Sequence, residues 1–200
     1  MALVLIYGRK DLRYNEVHMR VIAGKYKGRG LKAPAVHTTR PTTDRNKESM
    51  FQMLGPYFDG GVVLDLFAGS GGLGIEAMSR GCDSLYAIDH QYQAYKCLQE
   101  NIQKLQITNA VLWKMDYRKA LAMMHKKQIV FDIVILDPPY GKGLVDPILE
   151  YLVTHKMLRN HARILVEENS EVTFTSIPSL DITKTKQYGV TAVHIFTYKE

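Results

Sequence analysis

From Val62 onward, short and nearly continuous apolar runs alternate with stretches whose apolar residues recur at helical spacing. Val62–Phe67, Leu85–Ile88, Ala110–Trp113, Val130–Leu136 and Arg163–Val166 read as strands. Leu73–Ser79, the series Tyr92, Tyr95, Leu98, Ile102 and Leu105, Tyr117–His125 and about Leu144–His155 read as helices. A strand that is apolar along its whole length is covered on both faces, which is the condition of a parallel strand between crossover helices. The expected fold class is therefore α/β, a doubly wound and mostly parallel sheet of the Rossmann-like kind. The last part breaks the pattern. Ile182–Gln187 and Val190–Tyr198 have no helix between them and meet at Tyr188-Gly189, so they should pair as an antiparallel hairpin.

The N-terminal part reads differently. Val21–Gly24 and Leu31–Ala33 suggest two short strands around a basic, glycine-rich turn. Arg40–Asp44 reads as a loop, after which Thr43 or Asp44 caps a helix that runs to Leu54 and stops at Gly55-Pro56. Three segments result: an N-terminal extension, residues 1–18; a basic hairpin-and-helix appendage, residues 19–60; and the α/β domain, residues 61–200. The longest apolar runs, Ala2–Tyr7 and Ile129–Leu136, fall far short of the roughly 18 residues of a membrane span. Ahead of the first run there is no basic lead-in of the kind a signal peptide carries. Cys82 and Cys97 lack any CxxC spacing and suit a reducing, cytoplasmic setting. The seven histidines show no metal-ligand spacing, so no metal is expected.

The formal net charge of +6 is unevenly distributed. The first 60 residues hold 11 Lys/Arg against 5 Asp/Glu, whereas the other 140 hold 15 of each. Arg20, Lys25, Lys27, Arg29, Lys32, Arg40, Arg45 and Lys47 make up the core of the imbalance, interleaved with Gly24, Gly28 and Gly30. Closely spaced cations neutralise phosphates with release of counterions, and glycine lets the backbone approach them. A solvated basic face has the same composition. Its confinement to one end favours a nucleic-acid partner.

Two motifs carry chemistry. Asp65-Leu66-Phe67-Ala68-Gly69-Ser70-Gly71-Gly72-Leu73-Gly74 follows a strand and opens a helix, and Gly69, Gly71 and Gly74 satisfy G-x-G-x-x-G. No Lys-Ser/Thr follows, which excludes a P-loop. A carboxylate at Asp65 suits a ligand ammonium better than a pyrophosphate. Asp89, ending the next strand, stands where a carboxylate accepts hydrogen bonds from a ribose diol. An amino acid joined to a nucleoside describes S-adenosylmethionine. Asp116 either meets the adenine amine or caps the following helix. Ser70 does not fit a hydrolase nucleophile elbow, since the first glycine is missing and no Asp and His are placed as partners.

The second motif is Asp137-Pro138-Pro139-Tyr140. Proline fixes φ, lacks an N–H and restrains the residue before it. The Asp137 carboxylate and the Pro138 carbonyl thus form a rigid pair of acceptors, and an exocyclic NH₂ is a double donor. Tyr140 offers a face for a planar ring. Such an amine is a poor nucleophile because its lone pair is delocalised into the ring. Two acceptors pull it toward sp³ geometry and free the lone pair for attack on a sulfonium methyl. Asp137 is first an orienting group and only secondarily a proton acceptor. The plainer reading is a Pro-Pro strand terminator with Tyr140 packed beside it.

Together these segments resemble the class I methyltransferases, and among them the bacterial small-subunit rRNA guanine-N2 methyltransferases of the RsmD type. The matching residues are Met19–Gly24 with Lys27-Gly28-Arg29, Thr39-Arg40-Pro41-Thr42, Lys47–Phe51, Leu64–Gly74, Glu76-Ala77 with Ser79-Arg80-Gly81, Asn101, Asp116, Phe131-Asp132, Leu136–Tyr140 and Glu167. The resemblance implies a seven-stranded sheet with a reversed last strand. It also implies methylation of one guanine at N2 in 16S rRNA, guanine 966 in that molecule's numbering, on assembled 30S particles, with S-adenosylhomocysteine as product. The candidate catalytic residues are Asp137, Pro138 and Tyr140. The cofactor residues are Asp65, Phe67, Gly69, Gly71, Gly74, Asp89 and Asp116. Arg20, Lys25, Lys27, Arg29, Arg40 and Thr42 would contact RNA, and a monomer is expected. Residues 1–18 have no counterpart in the resemblance, so Met19 is the expected natural initiator. Glu167 and Glu168 receive no role.

Two other functions share these features. An adenine-N6 DNA methyltransferase uses the same amine-binding logic, but 200 residues leave no room for a target-recognition domain. A non-catalytic nucleic-acid-binding module on a methyltransferase fold would not need an intact Asp-Pro-Pro-Tyr.

Overall fold

A computed structural model describes residues 19–33 and 43–200. Among them, α1 (Asp44–Leu54) precedes β1 (Val62–Asp65), α2 (Gly72–Ser79), β2 (Ser84–Asp89), α3 (Tyr92–Lys104), β3 (Ala110–Lys114) and α4 (Tyr117–Lys126). Then come β4 (Phe131–Leu136), α5 (Val145–Thr154), β5 (Leu158–Asn169), β6 (Leu180–Tyr188) and β7 (Thr191–Tyr198). One seven-stranded sheet has the order β3-β2-β1-β4-β5-β7-β6. The first five strands are parallel, and β7 runs antiparallel to both β5 and β6. The order reverses between β1 and β4, so the loops after those two strands flank the crevice where ligands bind in open α/β sheets.

The central strands supply two cores. Val63, Ile133, Ile135 and Leu165 face α1, α2 and α3, with Phe51, Leu54, Ile75 and Leu98 packed on them. Leu64, Val134, Leu136 and Val166 face α4 and α5, with Met124, Ile148 and Leu149. This two-faced burial is the physical origin of the continuous apolar runs.

Three expectations need correction. Val21–Gly24 and Leu31–Ala33 are not strands. A single antiparallel bridge, Arg20 to Gly30, closes a turn-rich loop, supported by Val21 N–H donating to the Arg29 carbonyl and Leu31 N–H to that of Met19. The cause is docking, because the amides of Ile22, Ala23, Lys25 and Tyr26, which a ladder would need, are spent on α2. Glu76, fully buried, accepts from the Ile22 and Ala23 N–H groups at 2.8 and 3.0 Å, and Ser79 Oγ accepts from Tyr26 N–H at 2.9 Å. Gly24 sits at φ 78°, and a Cβ there would lie 1.7 Å from the Ser79 carbonyl oxygen, so only glycine permits this approach. Second, β5 extends well beyond Arg163–Val166. Glu167, Glu168 and Asn169 continue the ladder against Val193, Ala192 and Thr191 of β7, a backbone pairing that apolar pattern does not report.

Lys47 is also corrected, from basic surface to core. It is 2% exposed, and its ammonium donates to the Arg20 carbonyl and lies 3.4 Å from Glu76. Arg80 Nε donates to the same carboxylate at 2.8 Å, and its NH2 donates to Glu48 at 2.6 Å. Glu76 is the anion on which two buried cations and two loop amides converge. Removing one member of a buried ion pair leaves an uncompensated charge, at a cost of about 3–5 kcal/mol. Glu76→Ala should therefore lower Tm by on the order of 10 °C in a thermal melt. A shift within about 2 °C would show that Glu76 is not the node.

Candidate active site

The glycine loop is held from below by the two carboxylates that sequence reading assigned to ligand. Gly74 N–H donates to Asp65 Oδ2 at 2.8 Å, and Gly69 N–H donates to Asp89 Oδ2 at 2.8 Å. Asp89 Oδ1 also accepts from Gln91 N–H at the start of α3. Asp65 is 2% exposed and belongs to the loop's foundation, whereas Asp89 stands at the crevice wall with lone pairs to spare. Gly71, at φ 89°, turns the chain into α2. Gly69 has φ 55° and no protein atom within 4 Å of where a Cβ would be, so its surface is open to a ligand. Asn101, fully buried on α3, donates to the Ser70 carbonyl and to the Lys32 carbonyl while accepting from Lys32 N–H. It ties the glycine loop to the end of the basic arm.

The other cofactor candidates lie on the same side of the sheet order. Phe67 follows β1 and packs against Tyr117 with centroids 5.4 Å apart. Asp116 is the N-cap of α4, accepting from Arg118 N–H at 2.9 Å, and its side chain remains about half exposed. The helix-capping reading is thus fulfilled, with room left for a further acceptor role. Ser70 is buried, its hydroxyl 3.8 Å from Met19 Sδ, with no His or Asp bound to it among the described residues.

The register of β4 brings the catalytic candidates to the crevice. Asp65 pairs with Ile135 and Leu136 pairs with Val166, so Asp137, just past the end of β4, lies beside Glu167, which is still within β5. Tyr140, 42% exposed, donates its hydroxyl to Glu167 Oε1 at 2.9 Å. Gly141 N–H donates to Glu168 Oε1 at 2.9 Å, which anchors the loop after Pro139 to β5. Burial, followed by the charges of Glu167, Asp65 and Glu168, raises the proton affinity of Asp137 well above the usual carboxylate range. Burial raises Glu167 too, against the lowering effect of the Tyr140 hydroxyl. Burial and the neighbouring carboxylates make the Tyr140 phenol harder to ionise. Carboxylates that repel one another in a dry pocket are complementary to a cation, which fits a sulfonium-bearing ligand. Among the described residues no group of side chains is arranged to hold a metal ion, and no helix is long and apolar enough to cross a membrane.

Glu167 and Glu168 are the residues that sequence reading left without a role. Their signal was positional: they directly follow an apolar strand, as Asp65, Asp89 and Asp137 end or follow theirs. On the basic arm, Lys25, Lys27 and Arg29 are exposed, and Lys25 lies 5.3 Å from the Tyr26 ring centroid. Arg20 is ion-paired to Asp44 at 2.7 Å and Lys32 to Glu100. Arg40 and Thr42 lie outside the described residues.

Over residues 19–197 the chain matches the family model described as Conserved hypothetical protein 95. The Bacillus subtilis protein YlbH is 43% identical over 180 residues, covering 89% of this chain and 98% of that one. Ribosomal RNA small subunit methyltransferase D of Escherichia coli is 33% identical over 161 residues, covering 80% of each. The solved structure of Escherichia coli yhhF superposes with a TM-score of 0.79 at 31% identity, covering 91% of this chain and 98% of that one.

Asp65 makes the electrostatics testable. Burial outweighs the Gly74 hydrogen bond and lifts its pKa from 3.8 to about 7. A group that holds its proton more tightly when folded costs nothing below the unfolded pKa. Stability is then lost as pH rises from about 4 to 7, by on the order of 4 kcal/mol. Asp65→Asn, which can still accept from Gly74, should raise the Tm of the ligand-free protein at pH 8. That gain should shrink toward pH 5 in parallel melts. An equal difference at both pH values would contradict a buried, proton-holding Asp65.

Proposed function

The chain belongs to the Conserved hypothetical protein 95 family, the RsmD family of ribosomal RNA methyltransferases, and from that premise we propose that it methylates the N2 amine of one guanine in 16S rRNA. Guanine 966 is the target proposed, on assembled 30S particles in the cytoplasm, with a monomeric enzyme. The observation that carries this reading is the Asp137-Pro138 acceptor pair beside Tyr140, in a crevice shared with the glycine loop.

S-adenosylmethionine, when bound, supplies a methyl group activated by its positive sulfonium. Gly69 would present the surface for its amino-acid end, with Gly71 turning the chain into α2 beneath it, and Asp65 keeps that surface in shape through Gly74. Asp89 accepts from the ribose hydroxyls. Phe67 and Asp116 border the adenine. Tyr140 stacks on the target guanine, which must leave its base stack to reach the crevice. Asp137 and the Pro138 carbonyl each accept one N–H of the N2 amine, pulling it out of conjugation and aiming its lone pair. The proton released on methylation passes to Asp137, whose neighbours hold its proton affinity high. Arg20, Lys25, Lys27, Arg29, Arg40 and Thr42 grip the RNA backbone around the site, with Arg20 exchanging Asp44 for a phosphate.

Methyl transfer from labelled S-adenosylmethionine to 30S particles, naked 16S rRNA and duplex DNA tests the substrate. Label should enter 30S particles most readily. Label in DNA but not in 30S would instead favour an adenine-N6 DNA methyltransferase. Asp137→Ala should lower transfer by at least about 100-fold, the scale of a lost positioned acceptor. Calorimetric binding of S-adenosylmethionine should survive that change. Equal loss of both would contradict the role given to Asp137.

A further inference from the structure

Glu167 carries an oxygen for which the enzyme itself has no use. Glu167 is 8% exposed, Oε1 accepts from Tyr140, and Oε2 is buried with no hydrogen-bond partner among the described residues. Leaving a buried acceptor unpaired is costly, so a fold that keeps one has a partner for it elsewhere. Its place in the site narrows what that partner is. Glu167 lies in β5 beside Asp137, because Leu136 and Val166 are paired neighbours. It accepts from the hydroxyl of Tyr140, which is 42% exposed and three residues after Asp137.

We propose that Glu167 reads the target base, its unpaired carboxylate oxygen accepting the N1–H of guanine while Asp137 and Pro138 hold the N2 amine. This rests on the guanine-N2 reading and extends it from the reacting amine to the choice of base. On the guanine Watson–Crick edge the N1–H and N2–H donors are adjacent, which matches carboxylates side by side on neighbouring strands, Asp137 just after β4 and Glu167 within β5. Adenine offers an amine next to a bare N1 lone pair, and that lone pair would face the Glu167 oxygen in repulsion. A pocket built to receive a hydrogen rejects a base lacking it far more strongly than a pocket of the right shape alone does, because the buried acceptor stays unpaired. The Tyr140 bond to Oε1 orients the carboxylate so that Oε2 is the oxygen left for the base. Stacking of the base on Tyr140 has to open the cover over Oε2, which is closed to water in the ligand-free protein.

The test uses 30S particles reconstituted with 16S rRNA carrying either guanine or 2-aminopurine at the target. 2-Aminopurine keeps the N2 amine but has a lone pair at N1. The wild-type enzyme should prefer guanine by at least about 100-fold in kcat/KM. Glu167→Gln keeps an oxygen for the Tyr140 hydroxyl and turns an NH₂ toward the base. It should lower kcat/KM on guanine by about 100-fold and on 2-aminopurine by less than about 5-fold, collapsing the preference. A wild-type enzyme that treats the two bases alike overturns the proposal without recourse to any variant. So does a Glu167→Gln enzyme that loses both activities equally, the mark of a structural role. If mass spectrometry of the wild-type product finds the methyl group at an atom other than N2, the guanine-N2 reading itself falls. A methyl on N2 with no discrimination against 2-aminopurine defeats the Glu167 assignment alone.

Discussion

The site depends on one backbone fact, the register of β4 between β1 and β5. Pairing Asp65 with Ile135 and Leu136 with Val166 brings the ends of β1 and β4 beside the stretch of β5 that carries Glu167 and Glu168. Carboxylates placed at or just after those ends therefore converge. Asp137 is desolvated in this corner, and the charges of Glu167, Asp65 and Glu168 add to that burial in opposing its ionisation. Such a corner is unfavourable in isolation and is complementary to a sulfonium and to the N–H edge of a purine. A slip of two residues in β4 would keep the same faces buried yet move Asp137 out of the corner. The apolar alternation that packs both faces of the sheet and the carboxylates that follow it thus act together.

The basic arm is fastened to this core by polar contacts rather than by a core of its own. Glu76 gathers two loop amides and two buried cations, Gly24 allows the arm to lie against the Ser79 carbonyl, and Asn101 joins Lys32 to the glycine loop. The charge asymmetry of the sequence acquires a structural division here. Lys47 and Arg80 are spent inside, holding the arm in place, while Lys25, Lys27 and Arg29 face outward. Asn101 gives a physical connection between the surface that would meet RNA and the loop that would hold the cofactor.

Much of this was legible in the residues because the decisive features are local or periodic. Buried parallel strands leave continuous apolar runs, and tight turns leave glycines at fixed spacing. Asp-Pro-Pro-Tyr restricts its own backbone. What escaped reading depended on neighbours distant in sequence. Lys47 looked like surface until Glu76, 29 positions later, neutralised it in the core. Val21–Gly24 looked like a strand because its partner is the α2 helix rather than another strand. Glu167 and Glu168 looked like a polar end to a strand. Their meaning came from β7 pairing on one side and from the Tyr140 hydroxyl and Gly141 amide on the other.

The central claim is that this corner delivers a methyl group to the N2 amine of guanine. Digestion of 30S particles after reaction with the wild-type protein, followed by mass spectrometry of the nucleosides, tests it most directly. The account predicts one N2-methylguanosine per particle and no other new methylated nucleoside. N6-methyladenosine, or methylguanosine modified at another ring position, would contradict it.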